Sequence, residues 1–264
     1  MTTQLMPVLF LGHGSPMNAL EENEFVDGFR TIGKTIPKPK AILCISAHWV
    51  TKGTLVTAME KPPTIYDFGG FPQALFDVQY PADGSPELAK TVQSLVTKTS
   101  IGLDMDWGLD HGAWSVIKHL YPEADVPVIQ ISIDYYQTPQ YHYDLARELK
   151  SLREQGVLII GSGNIVHNLD LVDWNQSNTD NFGFDWTFEV MSKVNQCIIN
   201  HDHQSLIHFK SLGQSFDKAI PTSEHYLPLL YALALQEEGE HITFFNDKAV
   251  GGSLSMTSIK IGNN

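Results

Sequence analysis

Runs of consecutive apolar residues recur along the chain, each closed by glycine or a polar residue. Residues 7–12 (PVLFLG), 41–47 (AILCISA), 127–133 (PVIQISI) and 157–161 (VLIIG) are of this kind. Short apolar runs bounded by turn residues predict strands buried on both faces. Residues 54–59 predict a further strand, and 241–246 and 253–260 alternate as strands do. Helices are expected between them. One spans 22–33. Ser85-Pro86 opens another to about residue 98, with serine as N-cap and proline in the first turn. Others are read at 112–120 and 139–155, and the stretch 183–211 reads as mainly helical. Alternating buried strands and helices imply a single α/β domain, a mostly parallel sheet covered by helices on both faces. Ligands in such folds bind beyond the carboxyl ends of the strands. Residues 60–83, rich in proline, glycine and aromatics, are too long for an ordinary connection and predict a lid or binding loop.

The length of 264 residues suits one large domain, 1–264. A net charge of −13 argues against binding nucleic acid or anionic membranes. The two cysteines, Cys44 and Cys197, form no CxxC pair and read as reduced thiols of a cytoplasmic protein. No signal peptide and no apolar run long enough to span a bilayer is visible in the sequence. A monomer or small homo-oligomer is expected.

Candidate chemistry lies in the histidines. Of 11, three come just after a buried strand: His13 in GHGSP, His48 in SAHW and His167 in GSGNIVHN. Parallel strands would bring all three to one rim of the sheet. Gly12, Gly14, Gly161 and Gly163 would permit tight turns and close approach of a ligand to the backbone. His225 precedes Pro228, which cannot lie deep in a helix, so His225 is placed in a first turn, where the helix dipole disfavours imidazolium. A neutral imidazole is what a metal needs. His111, in LDHGAW at a predicted helix start, would be kept neutral in the same way. His119, His142, His201, His203, His208 and His241 lack such a setting, and His201-Asp202-His203 reads as a surface segment. Imidazole ligands suit zinc, iron, copper or nickel; two histidines and a carboxylate would suit non-haem Fe(II), three histidines and water a zinc hydrolase. Asp67, Asp110 and Glu224 are the nearby carboxylates. Spacing alone does not choose among these.

The segments FLGHGSPMN (10–18), ISAHWVTKGTLVTAME (45–60), PPTIYDFGGFPQALFDVQYPADGSP (62–86), LDHGAWSVIKHLYPEADVPVIQISID (109–134), GSGNIVHNL (161–169), TSEHYLPLLYALA (222–234) and GGSLSMTSIKIG (251–262) add a choice. Together they make the chain resemble the class III extradiol ring-cleavage dioxygenases of the LigB-like superfamily, in the 4,5-DOPA dioxygenase branch. The resemblance implies a catechol such as DOPA and O2 as substrates, a muconic semialdehyde-type product, and Fe(II) as the working metal, with Zn(II) able to occupy the same site. It puts metal ligands at His13, His48 and His225. His167 becomes a ligand or the catalytic base, and His111 a proton donor or an oxygen's hydrogen-bond partner. The wider class uses two histidines and a glutamate; here His225, preceded by Glu224, stands at the third position. Tyr66, Phe68, Phe71 and Phe76 would cover the substrate ring or pack the loop onto the domain, and Ser15 and Tyr226 would reach substrate oxygens. The alternatives are a zinc-dependent hydrolase on the same scaffold and a non-enzymatic binding protein like the Memo proteins.

Overall fold

The apolar runs assemble into one eight-stranded sheet. The computed structural model describes residues 5–263. Its strands are β1 (Val8–Gly12), β2 (Ala41–Thr51), β3 (Thr54–Thr57), β4 (Ile101–Asp104), β5 (Val128–Asp134), β6 (Val157–Gly163), β7 (Ile242–Phe245), a separate small pair β8 (Ala249–Val250) and β9 (Leu254–Ser255), and β10 (Ser258–Ile261). The helices are α1 (Glu24–Thr35), the single turn α2 (Gln73–Phe76), α3 (Pro86–Leu95), α4 (His111–Leu120), α5 (Pro139–Glu148), α6 (Asp185–Ile199), α7 (His203–Ile207), α8 (Gln214–Ala219) and α9 (Leu227–Ala234). The sheet order is β4-β3-β5-β2-β6-β1-β10-β7. Its centre, β5-β2-β6-β1, is parallel, and β10 and β7 add antiparallel strands at one side.

The central strands are apolar on both faces because both faces are covered. In β2, Ile42 and Cys44 join the core beneath α1 and α4, while Leu43 and Ile45 join the core beneath α3, α5, α6 and α9. The expected helix 139–155 stops at Glu148 and passes into a 3-10 turn at Lys150–Leu152. The stretch 183–211 is broken after Ile199, where His201 takes a positive φ of 55°. β4 escaped the pattern because it is a short edge strand with only Ile101 buried.

Two polar features sit inside these layers. Arg153 is wholly buried and donates to Met6 O, Leu235 O and the Glu240 carboxylate. Losing one partner of a buried pair strands the other charge, so Glu240→Ala is expected to cost about 3–5 kcal/mol in urea unfolding. His142, buried between α5 and α9 with Nδ1 3.0 Å from the Tyr231 hydroxyl, is pushed by burial from 6.5 down to about 4. The folded state therefore binds this proton more weakly than the unfolded chain. Its contribution is present above pH 6.5 and is lost as the pH falls towards 4. Over that window the wild type is expected to lose roughly 3 kcal/mol more denaturation free energy than His142→Phe.

Candidate metal centre

The site forms at the ends of β1 and β6 and at a bulge within β2. β1 stops at Gly12, and His13 N donates to Gly163 O (3.1 Å) at the end of β6. β2 does not end at residue 47 as the pattern predicts. Ile45 pairs with Ile131 and Val50 with Ile133, so Ser46–Trp49 bulges out of register before the strand resumes. His48 is presented by that bulge. His225 does not lie in a first helical turn. α9 starts at Leu227, and His225 occupies the preceding turn, its carbonyl accepting from Asn164 N (2.8 Å). The helix-dipole argument for its neutrality gives way to burial. Gly161 and Gly163 admit backbone rather than ligand: a Cβ at Gly163 would lie 2.1 Å from His225 O, and one at Gly161 2.3 Å from Pro228 O. Gly12 likewise lies against Met256, and Gly14 makes a turn at φ 60°.

These constraints bring five imidazoles together. Ring centroids of His13 lie 5.0 Å from His48, 5.4 Å from His225 and 5.8 Å from His111. His48 and His111 are 3.8 Å apart, and His167 stacks on His225 at 3.5 Å with planes 5° apart. One nitrogen from each of His13, His48 and His225 falls within 4.8 Å of the others, a set that could hold a metal ion. His167 is outside that set. His48, Asp67 and His111 also meet this distance. There, however, the Asp67 carboxylate already accepts from His111 N (2.8 Å) and His111 Nδ1 (2.9 Å), and His48 Nδ1 lies 3.4 Å from it. Both Asp67 oxygens thus face His111, beside a second set of groups that could hold a metal.

The electrostatics favour neutral rings with free lone pairs. Burial, then the neighbouring imidazoles, holds His13 and His225 well below the ordinary histidine value. Burial, then His111, pushes His48 down to about 3, and burial brings His167 to about 4. Burial raises Asp67, but its hydrogen bonds from His111 outweigh this and hold the carboxyl below the usual range. The donors fit a cation. His13 Nε2 and His48 Nε2 are 3.2 Å apart, and His225 Nε2 is buried without a hydrogen-bond partner. Three convergent neutral imidazole nitrogens suit a divalent transition metal.

Other expectations change. Asp110 is no ligand. It caps α4 through Ala113 N (3.1 Å) and accepts from Ser46 Oγ (2.6 Å) and Gln130 Nε2 (2.9 Å), which fixes the helix start that carries His111. Glu224 Oε1 lies 3.4 Å from His225 Nδ1 and so backs that ring. Ser15 caps the 3-10 turn Pro16–Ala19, and the buried Tyr226 hydroxyl donates to Leu206 O (3.0 Å), away from the histidines. The 60–83 loop is tied to α4 by Trp114 Nε1 donating to Ile65 O (2.9 Å) and braced internally by Tyr66 OH donating to Val78 O (2.7 Å). Tyr66, Phe68 and Phe71 pack on the core, Phe76 packs on Tyr66 and Phe68, and Phe68 alone of the four stands edge-on to His111 at 5.5 Å. A cleft of about 510 Å³ beside Gly14 and Met256 is lined by none of the five histidines. His201 is exposed and His203 pairs with the Tyr143 hydroxyl (2.9 Å), which places that pair away from the centre.

Residues 7–250 match the family model for the catalytic LigB subunit of aromatic ring-opening dioxygenase. The chain belongs to this family. This LigB-family chain is 45% identical to the 4,5-DOPA dioxygenase extradiol of Escherichia coli (strain K12), over 99% of its own length and 97% of the relative's. It is 35% identical to the protein of the same name from Beta vulgaris, over 95% and 94%. A crystal structure of an uncharacterized protein from Escherichia coli K12 superposes with a TM-score of 0.82 at 39% identity, covering 97% of this chain and 100% of the other. The family is one of metal-dependent enzymes that open aromatic rings with O2, and neither the hydrolase nor the Memo-like reading finds support among these matches.

Proposed function

We propose that this LigB-family dioxygenase, acting as one catalytic domain over 1–264, cleaves a catechol such as DOPA in extradiol fashion with Fe(II) held by His13, His48 and His225. The observation that carries the reading is the convergence of three neutral imidazoles, one with an orphaned buried nitrogen, beside two further histidines free for proton work. Bound Fe(II) would supply a Lewis acid for the substrate oxygens and a route for electrons from the ring to O2.

The chain's own residues supply the rest. His167, near 4, is unprotonated at neutral pH and available to take a proton from a substrate hydroxyl. Its stacking on His225, and its place outside the convergent set, favour the base over the ligand. His111 donates its Nδ1–H to Asp67, which leaves Nε2 to accept or deliver a proton. Phe68 stands edge-on to that ring at 5.5 Å. The buried free thiols, Cys44 and Cys197, suit the reducing cytoplasm, and among the described residues no helix is long and apolar enough to cross a membrane.

Asp67 orients His111 and stands beside His48, so Asp67→Asn is expected to cost about 10–100-fold in metal affinity or turnover, read by chelator competition and steady-state kinetics. The function is tested by loading the protein anaerobically with Fe(II), adding L-DOPA and recording O2 uptake with the yellow absorbance of a semialdehyde. Iron-loaded protein that consumes no O2 with any of a panel of catechols would overturn the proposal. Hydrolysis of esters or amides by the zinc form would revive the hydrolase.

A further inference from the structure

We propose that Ser162 is a positioning residue for the metal site: its hydroxyl bridges His13 and α4 and holds His13 as the Nδ1–H tautomer, with the Nε2 lone pair aimed at the other ligands. The inference rests on the three-histidine reading and adds the group that orients the first of the three. Ser162 lies near the end of β6 and is wholly buried. Its hydroxyl has one proton. The carbonyl oxygen of Gly112 can only accept, and Ser162 Oγ donates to it. His13 Nδ1 lies 3.1 Å from the same Oγ. With the hydroxyl proton committed to Gly112, the oxygen meets Nδ1 as an acceptor. Nδ1 therefore carries the hydrogen and Nε2 the lone pair, an assignment that follows from the hydrogen-bond network.

That Nε2 is the atom 3.2 Å from His48 Nε2. The main chain of His13 is fixed independently: its N–H donates to Gly163 O (3.1 Å), and Asn18 Nδ2 donates to its carbonyl (3.0 Å). What the backbone leaves open is the rotation and tautomer of the ring, and Ser162 supplies both. Gly112 directly follows His111, so one hydroxyl ties a metal-binding ring to the first turn of the helix that presents His111. Such outer partners raise the affinity of a histidine site by fixing ring orientation and tautomer.

The experiment compares wild type and Ser162→Ala. Imidazole 15N shifts of His13, assigned with a His13→Gln control, are read in the metal-free protein by long-range 1H–15N correlation. The Zn(II) dissociation constant is measured by chelator competition. The wild type is expected to show His13 protonated at Nδ1. Ser162→Ala should populate the other tautomer and weaken Zn(II) binding about 10–100-fold. Ser162→Thr, which keeps the hydroxyl, should keep the wild-type tautomer. A wild-type His13 protonated at Nε2 would overturn the inference, as would a Ser162→Ala protein with an unchanged tautomer and a dissociation constant within about twofold. If Ser162→Ala does not fold, the wild-type spectrum alone decides. Failure of the wild type to bind Zn(II) would count against the metal site itself, while the tautomer is read without metal.

Discussion

Alanine at His13 is expected to abolish tight metal binding and to lower kcat/KM by at least about a thousandfold, the scale of losing a metal ion's several kcal/mol of transition-state stabilisation. His13 is the hub of the site. Its ring is buried and has His48, His111 and His225 around it within 5.8 Å. Two nitrogens, from His48 and His225, would remain, too few to hold a divalent ion firmly among buried groups. The fold should survive, because β1 ends before His13 and its pairing with β6 and β10 uses Val8 to Gly12. Metal analysis after dialysis, chelator competition and thermal unfolding separate these effects. A His13→Ala protein that keeps one equivalent of metal at wild-type affinity would remove His13 from the ligand set.

Alanine at His111 should separate metal from turnover. No nitrogen of His111 belongs to the His13–His48–His225 set, so metal affinity should change little. Turnover should fall by about 10²–10⁴, the usual worth of a positioned acid or base. The loss should appear mainly in kcat. A rise in KM alone would mean that His111 acts only through Asp67, by keeping the 60–83 loop in place. Normal kcat would take His111 out of the proton path.

Both expectations depend on residues whose importance was visible at different depths. The buried runs at 7–12, 41–47, 127–133 and 157–161 announce the parallel centre of the sheet, since only a strand covered on both faces can be apolar throughout. With the strands parallel, His13 and His167 had to share a rim. His48 reaches that rim by a route that its apolar run does not show. It sits in a bulge within β2, and a register shift leaves no mark in apolar periodicity. Pro228 marks a helix start and so predicts His225 in a helical turn, yet the helix begins two residues after His225.

The local pattern of the chain determined which segments are buried, that helices cover both faces of a mostly parallel sheet, and which histidines stand near strand ends, because burial and period act between neighbours in sequence. Tertiary structure alone decided the partners. Asp67, 44 residues from His111, became the acceptor for its ring, and Asp110 became a helix cap. Ser162, 149 residues from His13, lies against its ring. Tyr226 turned away towards Leu206. These roles depend on which nitrogen or oxygen faces which across packed elements, and no one-dimensional pattern carries the direction of a hydrogen bond between residues so far apart.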